Sequence, residues 1–170
     1  MRRRDFLLSG TGIVGALILA KFLRPINVHA GAKPFEVVKS EAEWKQTLTP
    51  EQFRVLRKHG TERPFTSELN GEHRRGIFHC AGCELGLFRS ETKYDSGTGW
   101  PSFFAPIDGA ISTSTDHMLI YPRTEVHCSR CGGHLGHVFD DGPAPTGKRY
   151  CMNGIALKFE ALPATSGANP

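Results

Sequence analysis

The sequence predicts a mainly β fold with a few short helices, and three observations carry that expectation. Short runs with a two-residue apolar period recur between turn residues, 19 Gly and 11 Pro in 170 residues supply the turns, and four of the five cysteines form two C-x-x-C pairs that could staple a small domain. With 39% hydrophobic and 9% aromatic residues the chain can bury one core and hardly two. The same composition excludes collagen-like and low-complexity chains.

Taken in order, residues 1–30 read as an address. Arg2-Arg3-Arg4 precedes a moderately apolar run from Phe6 to Ala20, and the small-residue site Val28-His29-Ala30 follows. That is the layout of a secretory signal. Arg3-Arg4-x-Phe6-Leu7 resembles the twin-arginine export signal, with Arg2 where that signal usually carries Ser or Thr. The expected outcome is export, to the periplasm by the twin-arginine route. An uncleaved membrane anchor over Phe6 to Leu23 is the competing reading, weakened by Lys21, Gly10, Gly12 and Gly15.

Residues 31–47 read as an extended linker and a short helix, for Ser40-Glu41-Ala42-Glu43 has capping-box spacing. Thr49-Pro50-Glu51-Gln52 has it too, with Pro at the first helical position, then Phe53, Val55 and Leu56, and Gly60 as the stop. A helix over about 50–59 follows. Beyond it the period becomes two, at 77–79, 110–113, 117–120, 123–126 and 149–159, which makes the body mostly antiparallel β.

The formal charge of +4 sits at the start of the chain. Five of the 21 basic residues and one of the 17 acidic ones fall in residues 1–30, leaving 16 of each in the body. A balanced body lacks the basic footprint of a nucleic-acid binder, so none is expected as a partner.

Cys80-Ala81-Gly82-Cys83 and Cys128-Ser129-Arg130-Cys131 supply four thiolates for one closed tetrahedral site, the pattern of structural Zn²⁺. Gly82 and Gly132-Gly133 are placed to make the tight turns that aim backbone N–H groups at sulfur. Two disulfides compete with this reading, although bridges within C-x-x-C pairs scarcely staple a fold. His134 and His137 extend the spacing to C-x-x-C-x-x-H-x-x-H, but a Cys₂His₂ site would strand Cys80 and Cys83.

Cys151 is left over. A lone cysteine is commonly a small buried hydrophobe. Here Arg149 stands two residues before it, and on one continuous strand Cys151 would share a face with Asn153, Ile155, Leu157 and Phe159. A neighbouring cation favours a thiolate nucleophile. The segment from His134 to Pro143 adds two imidazoles and two carboxylates, the residue types that move protons near neutral pH. Trp100, within Gly97-Thr98-Gly99-Trp100-Pro101-Ser102-Phe103-Phe104, is either a core aromatic or the apolar wall of a small pocket.

From Leu48 to Phe159, about 110 of the 170 residues, the chain resembles the B-type methionine sulfoxide reductases, the peptide-methionine (R)-S-oxide reductases. The motifs run Leu48-Thr49-Pro50-Glu51-Gln52-Phe53, Gly60-Thr61-Glu62-Arg63-Pro64-Phe65-Thr66, the two cysteine pairs, Asp95-Ser96-Gly97-Thr98-Gly99-Trp100-Pro101-Ser102-Phe103, His134-Leu135-Gly136-His137-Val138-Phe139 and Arg149-Tyr150-Cys151-Met152-Asn153. The resemblance implies two small antiparallel sheets with peripheral helices, a catalytic domain over 48–160 with a flexible tail over 161–170, and a zinc remote from the catalytic cysteine. It also implies roles. Cys151 attacks sulfur as the thiolate, His137 and His134 with Asp141 and Asn153 hydrogen-bond and protonate the sulfoxide oxygen, Arg149 holds the thiolate network, and Trp100 cradles the substrate methyl group. Oxidised proteins or peptides are the implied substrate, and a monomer is expected.

Two departures qualify the resemblance. Thr98 stands where many members carry a resolving cysteine, so an external thioredoxin-like dithiol would have to reduce the Cys151 sulfenic acid. Gly154 replaces a Ser that commonly follows the Asn, which would remove a hydrogen bond beside the nucleophile. A zinc-ribbon binding module, a thiol-disulfide oxidoreductase using a C-x-x-C couple and a noncatalytic sulfoxide-peptide receptor are the readings from other classes.

Overall fold

The computed structural model describes residues 34–117 and 121–163. The export signal expected over residues 1–30 lies outside them, as does most of the strand expected over 117–120, of which the described His117 is not in a strand.

Both capping boxes form. Helix α1 spans Glu41–Thr47, capped by Ser40 with Glu43 reaching back, and α2 spans Pro50–Lys58, capped by Thr49 with Gln52. Gly60 does not take the left-handed turn that ends α2. His59 does, at φ 54°, while the Gly60 N–H donates to the Arg54 carbonyl at 3.0 Å. Trp44, Val55 and Leu56 are the buried residues of the two helices.

Strands β1 (Gly76–Cys80), β2 (Gly86–Arg89), β3 (Lys93–Tyr94), β4 (Ser102–Phe103), β5 (Ile111–Asp116), β6 (Arg123–Cys128), β7 (His134–Phe139), β8 (Arg149–Met152) and β9 (Leu157–Ala161) form two antiparallel sheets. One has the order β2-β1-β9, the other β3-β4-β8-β7-β6-β5. In β1, Phe78 and Cys80 point inward and Ile77 and His79 are half-buried, the period-two pattern expected of a one-faced strand. The sheets meet through aromatic rings. Phe88 of the smaller sheet stacks on Phe103 of the larger at 4.3 Å, and Phe78 packs on Phe103 and Phe159, each at 4.9 Å.

The single strand expected over 149–159 is two strands in different sheets. It breaks at Asn153, and a 3-10 turn over Gly154–Ala156 carries the chain from β8 to β9. Asn153, Ile155, Leu157 and Phe159 therefore do not share a strand face with Cys151. The Asn153 N–H still donates to the Leu135 carbonyl at 2.8 Å, in register with the β7–β8 ladder, and the break follows where the N–H groups of Gly154 and Ile155 go to the Glu62 carboxylate instead of to a strand. At the far end Ala161 still pairs with Gly76, one residue beyond the expected boundary at 160.

One register row crosses the whole larger sheet. Tyr94 lies opposite Ser102, Ser102 opposite Cys151, Cys151 opposite His137, His137 opposite Glu125, and Glu125 opposite Ser114. Directly paired residues project from the same face. A bulge makes His134 join that face: Val126 pairs with Gly136 and His127 with His134, so Leu135 is an extra residue in β7. Without it, histidines three apart would point to opposite faces. Gly136 permits the approach of β8, because a Cβ there would overlap the Cys151 carbonyl oxygen. Gly136→Ala is expected to cost roughly 3 kcal/mol through overpacking at this crossing, and a urea melt measures it.

Candidate active site

The sulfurs of Cys80, Cys83, Cys128 and Cys131 lie within 4.8 Å of one another. The shortest approaches, Cys83 to Cys128 at 3.5 Å and Cys80 to Cys131 at 3.8 Å, run between the two pairs rather than within them. All five cysteines are free thiols, so the two-disulfide alternative is not formed. Four sulfurs about 2.3 Å from a central ion stand roughly 3.8 Å apart in a tetrahedron, and this donor set fits such an ion. The two knuckles are alike: the N–H of Glu84 donates to the Cys80 carbonyl and that of Gly132 to the Cys128 carbonyl, with Glu84 at φ 63° and Gly132 at φ 68°. The left-handed residue of the first knuckle is thus Glu84, not Gly82. Gly82 instead leaves room for Trp44 and Leu56 to pack over the turn.

A second constellation occupies the Cys151 row. A cavity of about 110 Å³ is lined by Thr61, Trp100, Arg123, Gly136, His137, Phe139, Cys151 and Asn153. Cys151 is half-buried, as a thiol meeting an outside substrate must be. The indole N–H of Trp100 donates to the Glu62 carbonyl at 3.2 Å, which fixes the ring as a wall. Its neighbour Phe103 belongs to the core instead.

The other expected site residues take several places. His137 Nε2 is 2.7 Å from Asp116 Oδ2, to which Arg123 also donates at 2.6 Å. Burial pushes the His137 imidazole below its ordinary value, and the hydrogen bond to Asp116 pulls the other way. His134 is buried behind His137, ring centres 5.4 Å apart, and does not line the cavity. Its Nδ1 meets Glu125 Oε1 at 2.7 Å, and burial lowers its basicity too. Burial alone would raise Glu125, but the hydrogen bonds from His134 and Ser114 prevail and hold it in the carboxylate form. His59 reaches the same oxygen at 2.9 Å from the exposed end of α2. His134 is therefore bonded to a carboxylate and not to the cysteine site, against a Cys₂His₂ reading.

Asp141 lies outside the cavity, 62% exposed, with both oxygens taken by Arg149 at 2.9 and 2.8 Å. The Arg149 guanidinium also lies 4.4 Å over the Phe139 ring, which lines the cavity. Asn153 accepts from the Glu62 N–H at 2.9 Å, and the Glu62 carboxylate accepts from the N–H groups of Gly154 and Ile155 at 2.5 and 3.1 Å. Gly154 thus sits against Glu62 and Ser67, not beside the nucleophile; a Cβ there would overlap the Ser67 hydroxyl. Sequence reasoning passed over Asp116, Arg123, Glu125, His59 and the Glu62 carboxyl.

The SelR domain model matches residues 48–161. The chain is 52% identical over 128 residues to the peptide methionine sulfoxide reductase MsrB of Agrobacterium fabrum, covering 75% of this chain and 95% of that protein. It is 55% identical over 125 residues to the protein of the same name from Methanosarcina barkeri, covering 73% and 88%. The chain belongs to the B-type peptide methionine sulfoxide reductase family. A chloroplastic member from Arabidopsis thaliana, peptide methionine sulfoxide reductase B1, is 51% identical over 143 residues, covering 84% of this chain and 71% of the other. The matched span holds both cysteine knuckles and the whole Cys151 row, so the family likeness and the cavity concern the same part of the molecule.

If the four thiols hold a structural ion, a strong chelator is expected to lower Tm by tens of degrees, because structural ligation contributes directly to folding free energy. Cys151→Ser should leave Tm within a few degrees. Calorimetry of both samples checks the assignment of four thiols to structure and one to chemistry.

Proposed function

We propose that the chain reduces the R epimer of methionine sulfoxide in peptides and proteins, with Cys151 as nucleophile. The observation that carries this reading is the cross-strand pairing of Cys151 with His137 at a small cavity walled by Trp100. A sulfoxide needs a soft nucleophile at sulfur and a proton at oxygen, since oxide does not leave unprotonated. The preference for the R epimer rests on the family resemblance.

Cys151 thiolate attacks the sulfoxide sulfur to form an S–S bond, and the oxygen, protonated as its bond to that sulfur breaks, ends on the Cys151 sulfur as the S–S bond gives way to release the thioether. Methionine departs reduced by two electrons, and Cys151 is left oxidised by two as a sulfenic acid. Because Nε2 of His137 is committed to Asp116, its Nδ1 is the nitrogen that serves the cavity, and it donates only in the imidazolium form. Asp116 supports that form against burial. His134 and Glu125 brace His137 from behind, while Asp141 positions Arg149. A thioredoxin-like dithiol then returns the sulfenic acid to thiol, releasing water and a disulfide. The four-thiolate site is read as Zn²⁺, held by Cys80, Cys83, Cys128 and Cys131, where it would stabilise the fold and take no part in turnover. Export by the Arg2-Arg3-Arg4 segment belongs to the same proposal and rests on the sequence.

The test is turnover of separate R and S sulfoxide epimers of a blocked methionine peptide by the full chain with dithiothreitol. R is reduced, S is not, and Cys151→Ser reduces neither; equal use of both epimers or survival of activity in Cys151→Ser defeats the proposal. His137→Gln is expected to lower kcat/KM by roughly 10²- to 10⁴-fold, the usual worth of general-acid assistance. Asp116→Asn removes the group that raises the His137 pKa. Its imidazolium fraction at pH 7 then falls, the pH-profile break belonging to His137 moves to lower pH, and neutral-pH kcat/KM drops about tenfold for each pKa unit lost.

A further inference from the structure

Thr98 touches the nucleophile. Its Oγ1 lies 3.7 Å from Cys151 Sγ, and it is aimed there by left-handed glycines on either side, Gly97 at φ 70° and Gly99 at φ 91°. It is also the end of a chain of hydroxyls: Thr98 Oγ1 to Ser96 Oγ at 2.8 Å, Ser96 Oγ to Ser102 Oγ at 2.7 Å, and Ser102 Oγ to the Trp100 carbonyl at 3.2 Å.

Each hydroxyl has one hydrogen, and the Trp100 carbonyl can only accept. With Cys151 as a thiol, every contact in the chain is satisfied in one direction alone. Ser102 donates to the Trp100 carbonyl, Ser96 to Ser102, Thr98 to Ser96, and the Cys151 S–H to Thr98. A thiolate has no hydrogen to give. The chain then serves it by reversing, with Thr98 donating to sulfur, Ser96 to Thr98 and Ser102 to Ser96, and the one contact forfeited is the far bond to the Trp100 carbonyl. In exchange, sulfur receives a charge-assisted hydrogen bond, the stronger kind.

We propose that Thr98, Ser96 and Ser102 form a reversible hydrogen-bond chain that donates to the Cys151 thiolate, with the Trp100 carbonyl as the stop that holds the resting polarity. Thr98 stabilises the nucleophile, and Ser102 opposes it by anchoring the chain in the thiol-serving direction. The inference rests on Cys151 being the nucleophile of the proposed reduction. Around Cys151 the charged and titratable groups are Arg149 on its own strand with Asp141 behind it, His137 of β7 with Asp116, Arg123 of β6 and Tyr94 of β3. The variants below alter none of them.

The chain makes the two ends respond with opposite sign. Thr98→Val deletes the donor that the thiolate needs. Ser102→Ala deletes the bond that the thiol form alone possesses, since without Ser102 both forms keep two contacts each. Alkylation of Cys151 by iodoacetamide across pH, read by mass spectrometry on the full metal-loaded chain, reports thiolate formation directly. In Thr98→Val the profile should move up by about one pH unit and the pH 7 rate fall about tenfold, the usual effect of one charge-assisted bond. Thr98→Ser should keep the wild-type profile, and in Ser102→Ala it should move down, with the pH 7 rate raised about threefold. General loosening of the site would move both alike. An unmoved profile in Thr98→Val, or shifts of one sign in Thr98→Val and Ser102→Ala, overturns the proposal. Sulfoxide turnover measured in parallel separates the two readings, for a wild type without turnover defeats the reductase assignment while opposite shifts still uphold the chain.

Discussion

The crossing of β7 and β8 at Gly136 is the constraint on which the site depends. Two backbones approach there closely enough that a single Cβ would strike the Cys151 carbonyl. That contact sets His137 opposite Cys151, and strand pairing then places Ser102 on one side of the pair and Glu125 on the other. A slip of one residue would send every one of these side chains to the opposite face. The bulge at Leu135 works within the same register, bringing His134 behind His137 so that two buried, carboxylate-bound imidazoles pack together. Reactivity is therefore a property of sheet register before it is a property of any residue.

The four-cysteine site complements this arrangement by a different route. Cys80 ends β1 in the smaller sheet and Cys128 ends β6 in the larger, so an ion held between the knuckles joins the two sheets at their ends while the phenylalanine rings join them along their faces. Cys128 lies three residues along β6 from Glu125 in the reactive row, about 10 Å at strand spacing. Binding a metal consumes four thiols that could otherwise exchange with a sulfenic acid. Thr98 Oγ1 lies 3.7 Å from Cys151 Sγ, and the other four cysteines are gathered in the separate four-sulfur cluster.

Much of this was readable from residues alone, where the controlling interaction is local in sequence. The two capping boxes lie within four residues and formed as read, and C-x-x-C spacing brings two sulfurs to one knuckle whatever the remainder does. What escaped depends on partners far along the chain. The break after Asn153 accompanies capture of the Gly154 and Ile155 N–H groups by Glu62, 92 and 93 residues away, and period-two alternation over 149–159 carries no trace of it. Glycine was credited with turns that other residues make: His59, not Gly60, takes the left-handed conformation at the end of α2, and Glu84, not Gly82, takes it in the first knuckle. Asp141 shows the same limit: the family resemblance implies a role at the oxygen, while its two carboxylate oxygens are bonded to Arg149.

A common electrostatic logic links these long-range partners. Each carboxylate near the cavity is held by a donor that draws it away from Cys151: Asp116 by Arg123 and His137, Asp141 by Arg149, Glu125 by His134 and Ser114, and Glu62 by two backbone N–H groups. A free anion beside Cys151 would oppose both the thiolate and the negative charge that gathers on the sulfoxide oxygen during attack. Occupying every carboxylate leaves two guanidinium groups, an imidazole and a chain of hydroxyls as the polar groups that can turn toward sulfur. In this site a carboxylate acts by fixing a cation or an imidazole in place: Asp116 holds His137 and Arg123, both of which line the cavity, and Asp141 holds Arg149 over Phe139.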